Sequence, residues 1–190
     1  MFFLHTCFTI SKDDGSGKSA YYYDYLQLIK FYSNGSLKTL AKKITFDNAM
    51  LLYLDNNTNN SNNPNENYAR EFLELFTILK GPQIGEGDYT NYTEHDIQQT
   101  ARVFSGIKTK PLRDTIDIDT GIPMGYVNIN QHDSDSKMFS AAFNYQTIQG
   151  GSTESGVIQE VDDFVEMIFS NPETAKSYCR KLYRFFIKIF

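Results

Sequence analysis

Tryptophan is absent from this 190-residue sequence, which also has only two cysteines, five prolines and three histidines. Two cysteines exclude a disulfide-rich scaffold. Neither an HExxH pattern nor paired CxxC motifs occur, so the sequence carries no zinc signature. No apolar run approaches the ~20 residues of a transmembrane helix. The apolar start, residues 1–4, lacks the basic region and cleavage site of a secretory signal. We therefore expect neither a membrane span nor a signal peptide in this chain.

Positive charge is also in short supply. The 18 lysines and arginines are outnumbered by 23 aspartates and glutamates, and the net charge of −5 disfavours a general nucleic-acid binder. Hydrophobic residues make up 41% of the chain and aromatic residues 15%, which excludes a wholly disordered protein. A chain of this length buries roughly 70% of the surface that it exposes when unfolded. We therefore expect one domain over residues 1–190.

Apolar residues recur at helical spacing through most of the chain and predict a mainly α protein. N-terminal cap signals stand before several of these segments. The signals are Ser36, Thr45 or Asp47, Asn63 or Asn65, Thr93 with Asp96, and Asn171 before Pro172. Asn34-Gly35 is predicted to end the helix that begins near Ala20, because both residues accept the left-handed conformation.

Two segments lack helical periodicity. Residues 55–65 are rich in asparagine and predict a polar loop with too few apolar groups to pack. Residues 108–156 contain proline, glycine and short alternating pieces such as 115–119, and predict an irregular insertion with one or two short strands. A stretch of this kind inside a compact domain is often functional or flexible.

The helix that follows Asn65 carries the first candidate site. Glu71 and Glu74 are three residues apart and are predicted to share a face, where two carboxylates can ligate a hard metal or act as acid and base. Arg70 can hold an anionic group. The alternative is a solvated face on which Arg70 pairs with Glu66 and Glu74 at i,i+4 spacing.

Histidine supplies the second candidate site. His132 and Asp133 lie in the irregular segment, which favours a ligand site there, whereas His95 lies in the first turn of a helix and is expected to be exposed. We expect the helix with Glu71 and the loop with His132 to lie close together. A structural alternative is a buried hydrogen-bond network that fixes the asparagine-rich loop. Its members would be Asn65, Glu66, Asn67 and Arg70.

Three further patterns are interpreted structurally. Gly15-Ser16-Gly17-Lys18-Ser19 is similar to a phosphate-binding loop, but Lys12 replaces the required glycine, which favours an ordinary linker. Cys179 is predicted to be a small buried hydrophobe. Basic residues on the last helix favour a cationic, water-facing helix end over a nucleic-acid site. These residues are Lys176, Arg180, Lys181, Arg184 and Lys188.

Residues 63–77, NPNENYAREFLELFT, resemble the signature of a bacterial family known as domain of unknown function 1800, whose pattern is close to NPNENYARELLELFTLG. Other blocks are similar too. They are Tyr92-Thr93-Glu94 with Asp96 and Ala101-Arg102, His132-Asp133 with Lys137, and Asn171-Pro172 with residues 179–186. Asp135 stands where the family usually has glycine, and Cys7 replaces a histidine in the first block.

The resemblance spans nearly the whole chain and implies a mostly helical protein that is commonly exported to the periplasm, cell envelope or medium. It implies no assigned activity, cofactor or partner. Full members are longer at both ends, and residues 185–190 are apolar and end abruptly. We therefore expect a fragment that is truncated at the C-terminus and also at the N-terminus.

Two hypotheses about function follow. The first is an exported enzyme of unknown reaction, in which Arg70 holds an anionic group and a carboxylate or His132 moves protons. Its site would draw on Arg70, Glu71, Glu74, His132 and Asp133. The alternative is a non-catalytic cell-envelope binding or scaffold module with the same residues as internal struts. A cleft with a perturbed carboxylate favours the enzyme, whereas a filled and fully paired interior favours the module.

Overall fold

The computed structural model describes residues 1–13 and 17–187, and within them helices dominate, which confirms the prediction of a mainly α protein. The helices are α1 (Phe2–Cys7), α2 (Ser19–Phe31), α3 (Leu37–Ile44), α4 (Asn48–Tyr53), α5 (Asn67–Glu71), α6 (Glu94–Val103), α7 (Glu154–Ser170) and α8 (Pro172–Phe186). The strands are β1 (Ile107–Lys108), β2 (Tyr126–Val127), β3 (Lys137–Met138) and β4 (Thr147–Ile148).

The predicted caps begin several of these helices. Ser36 accepts from the backbone of α3 and Asp47 from that of α4, while Asn171 caps α8 with Pro172 at its first position. Thr93 and Asp96 form a full capping box on α6, because each side chain accepts from the backbone of the other residue. These side chains satisfy N–H groups that have no partner inside the helix.

The prediction that a left-handed Asn34-Gly35 cap ends α2 is wrong. The helix stops at Phe31 and a 3-10 turn, Tyr32–Asn34, follows it. Gly35 is extended, with φ −107°, and is therefore not a left-handed cap. A Cβ atom at this position would lie 2.9 Å from the ring of Tyr32. Glycine is needed here for close approach to an aromatic ring.

The strands form two antiparallel pairs, β1 with β2 and β3 with β4. Strands β2, β3 and β4 lie within residues 108–156, which confirms the prediction of short strands in that segment, although residues 115–119 themselves form none. Ile116 makes a single bridge to Pro123, which has no N–H to extend a ladder. Side chains also fix part of residues 108–156: Arg113 donates two hydrogen bonds to the buried Asp24, at 2.7 and 2.8 Å.

Aromatic rings form the centre of the core. Phe72, Phe104 and Phe164 contact one another with ring centroids 5.3–5.6 Å apart. Tyr68 adds to this cluster from α5 and Phe139 from the segment after β3. The predicted apolar stripe of α5 therefore packs against the end of α6 and the middle of α7.

The stripe does not continue as an α-helix. Phe72–Phe76 form a π-helical turn, which the sequence analysis missed. The hydroxyl of Thr77 donates to the carbonyl of Phe72, and Lys181 of α8 donates to the carbonyls of Leu75 and Phe76. Such turns are rare and leave carbonyl groups without their usual partners, so side chains from outside the turn must satisfy them.

The asparagine-rich loop packs against the protein, contrary to the prediction. Asn56 and Asn59 are buried and donate to the carbonyls of Phe104 and Ala101, at 3.1 and 2.7 Å. These carbonyls lie at the C-terminal end of α6, where intrahelical donors are missing. Asn59 also accepts from the backbone of Asn65. The loop is thus held by amide hydrogen bonds in place of apolar contacts.

Asp47 is a buried acid whose titration should affect stability. Burial raises its pKa to about 7, although the backbone of Met50 donates to its carboxylate. An unfolded aspartate titrates near about 3.9. The folded protein therefore retains a proton that the unfolded chain releases. The resulting stabilisation is complete below about pH 4 and is lost as the pH rises through about 7.

We predict that Asp47→Asn keeps the cap and removes this pH dependence, because asparagine accepts the same hydrogen bond and does not ionise. Between about pH 5 and about pH 8, the wild type should lose on the order of 2 kcal/mol more unfolding free energy than the variant. Urea denaturation of both proteins at the two pH values measures this difference. Parallel losses in the two proteins would contradict the prediction.

Candidate functional site

Arg70 lies on the outer side of α5 and binds carboxylates from two helices. Its guanidinium donates twice to Glu94 at the start of α6, at 2.6 and 3.2 Å. Glu66 and Glu74 lie 3.4 and 3.7 Å away on its own helix, so the predicted i,i+4 pairs are present. The guanidinium is therefore occupied by three carboxylates of the protein itself.

Glu74 is also fully engaged. Its buried carboxylate accepts a hydrogen bond from the hydroxyl of Tyr92 at 2.6 Å and lies 3.0 Å from the ammonium of Lys80. These contacts tie the π-helical turn to the loop before α6. Arg70, Glu74 and their partners form one cluster, which we call the α5–α6 ion cluster.

Glu71 forms no ion pair in the described part of the chain, although it interacts electrostatically with Glu74, Lys80 and Arg70 of that cluster. It lines a groove of about 550 Å³ between α1, the π-helical turn and α8. Burial raises the pKa of Glu71, and the nearby charge of Glu74 adds to this effect. The groove is also lined by the buried Cys7, by Tyr53 and Leu79, and by the basic side chains of Lys181 and Arg184.

His132 belongs to a different cluster, which is buried. Its Nε2 lies 3.0 Å from Glu160 of α7, and its Nδ1 lies 2.8 Å from the carbonyl of Ser105. The ammonium of Lys137 in β3 lies 2.7 Å from the other oxygen of Glu160. The side chains of Lys137 and Glu160 have no exposed surface, and the backbone of Gly151 donates to Glu160. We call this group the α7 charge cluster.

The histidine ring faces an oxygen acceptor on each side. The hydroxyl of Ser105 also lies 3.3 Å from Nδ1 but donates to the carbonyl of Arg102 at 2.7 Å. Each ring nitrogen of His132 therefore has a fixed oxygen atom of the protein as its neighbour.

Asp133 lies at the edge of the α7 charge cluster, where it contacts Arg102 and Lys137. Arg102 donates to both of its carboxylate oxygens, at 2.7 and 3.1 Å. Burial opposes the charge of Asp133, but hydrogen bonding by Arg102 prevails and lowers its pKa. Its backbone N–H donates to the hydroxyl of Ser105, and its carbonyl accepts from Lys137. Asp133 therefore positions the loop of His132 on the end of α6.

The candidate residues of the Glu71 helix and of the His132 loop belong to separate clusters, although α5 packs on Phe104 and His132 bonds the neighbouring Ser105. In residues 1–13 and 17–187, no hydrogen bond or ion pair joins the two clusters. The α5–α6 ion cluster binds Glu94 at the start of α6, whereas His132 binds Ser105 just beyond its end. At 1.5 Å per residue, these two positions are on the order of 15 Å apart.

Glu160, the partner of His132, was not predicted. Glu160 falls between Val157 and Phe164 on the apolar stripe of α7, and a carboxylate on a buried stripe needs a partner. Its position on the apolar stripe was the signal in the sequence from which a buried partner for Glu160 could have been inferred. Lys137 and Arg102 were noted only within the resembling blocks. Their partners lie too far along the chain for local spacing to identify them.

The structure also tests the predictions for His95 and Cys179. His95 is exposed, as predicted. Cys179 is exposed, so its prediction as a buried hydrophobe is wrong, because α8 packs through Thr174, Ser177 and Tyr178 instead. Gly15 and Ser16 of the glycine-rich loop lie outside the described residues, as does Lys188.

Within the described ranges, no group of three or more His, Cys, Asp or Glu side chains has an arrangement that could hold a metal ion. No helix in that part of the chain is long and apolar enough to cross a bilayer.

We predict that Lys137→Met destabilises the protein by about 3 kcal/mol or more, because it leaves the carboxylate of Glu160 buried without its ammonium. Combining Lys137→Met with Glu160→Gln should recover part of this loss, since the double variant buries no unpaired charge at that position. Chemical denaturation of the single and double variants measures the effect.

The matched control is Lys38→Met, which breaks an exposed pair with Glu166. Exposed pairs contribute little to stability, so the midpoint of unfolding should barely change. Equal losses in Lys137→Met and Lys38→Met would contradict the proposed importance of the buried pair.

Comparison with known proteins gives one match. A family model described as "Protein of unknown function (DUF1800)" matches residues 1–189. No curated protein and no solved structure matches the chain.

Proposed function

We infer, from the premise that this chain belongs to the DUF1800 family of proteins of unknown function, that it is a non-catalytic binding or scaffold module. One observation carries this proposal: four of the five candidate residues are engaged by partners inside the protein. The four are Arg70, Glu74, His132 and Asp133.

Catalysis requires a group that substrate can reach. The imidazole of His132 is buried, and both of its nitrogens already face fixed oxygen atoms. Asp133 is held by Arg102 in a two-point contact that suits positioning. Both residues therefore act as internal struts in the proposed module, where they fasten an irregular segment to α6 and α7.

The groove beside Glu71 is the surface that the module would present to a ligand. It is lined by the apolar side chains of Leu75 and Leu79 and by the charged side chains of Glu71, Lys181 and Arg184. Ligand sites commonly combine an apolar lining with a few polar groups that fix orientation. We place the module in the cell envelope or outside the cell, a proposal that rests on the family's usual export. Fractionation of the producing cells tests that location.

We predict that diethyl pyrocarbonate modifies His95 in the folded protein but leaves His132 unmodified until the protein is denatured. His95 is exposed, whereas His132 is buried between Glu160 and Ser105. Peptide mass spectrometry after short labelling times measures both sites in one sample. If His132 were labelled as fast as His95, it would be open to substrate and the strut proposal would be wrong.

A second candidate function is an enzyme that uses Glu71. A carboxylate with a raised pKa beside a cavity is a candidate general acid or base. Titration with a small-molecule library, followed by NMR, identifies compounds that shift the signals of Leu75 and Leu79. Turnover of such a compound, lost in Glu71→Gln and kept in Glu66→Gln, would favour the enzyme. Binding without turnover would favour the module.

A further inference from the structure

A second groove lies between α3, the first half of α7 and the loop formed by residues 115–124. Its volume is about 470 Å³, which falls in the range of roughly 300–1,000 Å³ that is typical of small-ligand sites. Five large apolar side chains line it, and we call it the isoleucine groove. They are Phe46, Ile116, Ile118, Met124 and Ile158.

The loop that carries two of these isoleucines is fixed by hydrogen bonds. The backbone N–H of Asp117 donates to the carbonyl of Ile122 at 3.0 Å. The ammonium of Lys43 on α3 donates to the carboxylates of Asp117 and Asp119, at 2.5 and 2.6 Å. Ile118 is nevertheless 96% exposed. An ordered loop therefore holds a large apolar side chain in water, where it gains nothing from burial.

The exposed isoleucines lie on both sides of the same recess. Ile116 and Ile118 come from the loop, and Ile158 comes from α7. Their exposed fractions are 51%, 96% and 37%. Single exposed hydrophobic residues are ordinary on a protein surface, whereas several that line one recess mark a binding surface.

The charged residues of the isoleucine groove carry one more negative than positive charge. Lys42 pairs with Asp162 at 3.0 Å, while Lys43 is shared by Asp117 and Asp119. Burial opposes the charge of Asp117, but its hydrogen bond with Lys43 prevails and lowers its pKa. The side chain of Asp119 is 65% exposed, against 21% for Lys43. A ligand therefore meets carboxylate oxygens more readily than ammonium groups.

We propose that the isoleucine groove binds a small organic cation that consists of an aliphatic body and one protonated amine. The body contacts Ile116, Ile118 and Ile158, and the amine lies beside Asp119. Lys43 contacts only Oδ2 of this carboxylate, and in the described part of the chain Oδ1 has no hydrogen-bond partner. The ligand combines an apolar body with one polar group that fixes its orientation, as small-molecule sites commonly require.

Charge decides among the possible occupants. A second copy that used the same face in a two-fold dimer would bring the exposed carboxylates of both chains together. A carboxylate or phosphate ligand would meet the same negative charge. A neutral apolar molecule would fill the groove but would leave Oδ1 of Asp119 unused. This inference concerns a different surface from the groove beside Glu71 and goes beyond the proposed module function.

The test compares octylamine, octanol and octanoate, which share one aliphatic chain and differ in charge at neutral pH. NMR of the purified chain with labelled isoleucine methyl groups follows their binding. Octylamine should shift the signals of Ile116, Ile118 and Ile158. It should leave that of Ile84, which is 67% exposed outside the groove, unchanged. Octylamine should bind about threefold more tightly than octanol, because an exposed ion pair contributes little, and octanoate should bind most weakly.

A first pair of variants tests the charge. Asp119→Asn should lower the affinity for octylamine about threefold and leave that for octanol unchanged, since Lys43 keeps its bond to Asp117. Asp163→Asn is the matched control, because Asp163 is exposed on α7 and does not line the groove. This control should bind all three compounds as the wild type does.

A second pair of variants tests the apolar contact. Ile118→Ser should weaken the binding of octylamine and octanol alike, by about fivefold, because both lose the same apolar contact. Leu112→Ser makes a similar change at a side chain that is 81% exposed outside the groove and should have no effect. Circular dichroism of each variant verifies that the fold is intact.

Four results would overturn the inference. The first is the absence of octylamine binding, and the second is an equal shift at Ile84 and at the groove isoleucines. The third is an equal affinity for octylamine in Asp119→Asn and Asp163→Asn. The fourth is a concentration-dependent dimer that Ile118→Ser dissociates, which would assign the groove to a contact between two copies. None of these results bears on the labelling of His132, so the module proposal is tested separately.

Discussion

The carbonyl groups at the C-terminal end of α6 have no donors within the helix, and much of this structure depends on the donors that other segments provide. A helix end must find hydrogen-bond donors from elsewhere. Here they come from the amides of Asn56 and Asn59, while the hydroxyl of Ser105 adds a bond to the carbonyl of Arg102. The segments that provide these donors are thereby fixed in place. Ser105 in turn holds the backbone of Asp133, so one helix end positions both the asparagine-rich loop and the loop of His132.

The buried charges of the α7 charge cluster are better explained by positioning than by stability. Taking Lys137 and Glu160 out of water costs free energy that their attraction largely offsets, so such a pair is weak evidence for a stable fold. Its geometry is nevertheless restrictive. The pair fixes β3 against α7, and His132 adds a second contact to the same carboxylate. This use of charged groups supports the interpretation of these residues as struts.

Local signals in the sequence predicted local structure well. Ser36, Asp47 and Asn171 cap their helices because a cap depends on only a few neighbouring residues. The i,i+4 pairs of Arg70 follow from helix geometry alone. The partners of His132 lie 27 and 28 positions away along the chain, and no periodicity relates them. The π-helical turn escaped prediction for a related reason, since Lys181, one of the groups that satisfies its carbonyls, comes from a helix more than one hundred residues later.

The contact between Lys181 and the π-helical turn has a mechanical consequence. One ammonium group, whose pKa burial lowers, joins α8 to the floor of the groove beside Glu71. A force that slides α8 along its axis would withdraw this donor from the carbonyls of Leu75 and Phe76. Those carbonyls would then need water or a rearranged backbone, because buried acceptors rarely stay unpaired. The position of α8 and the shape of the groove beside Glu71 are therefore coupled through the side chain of Lys181.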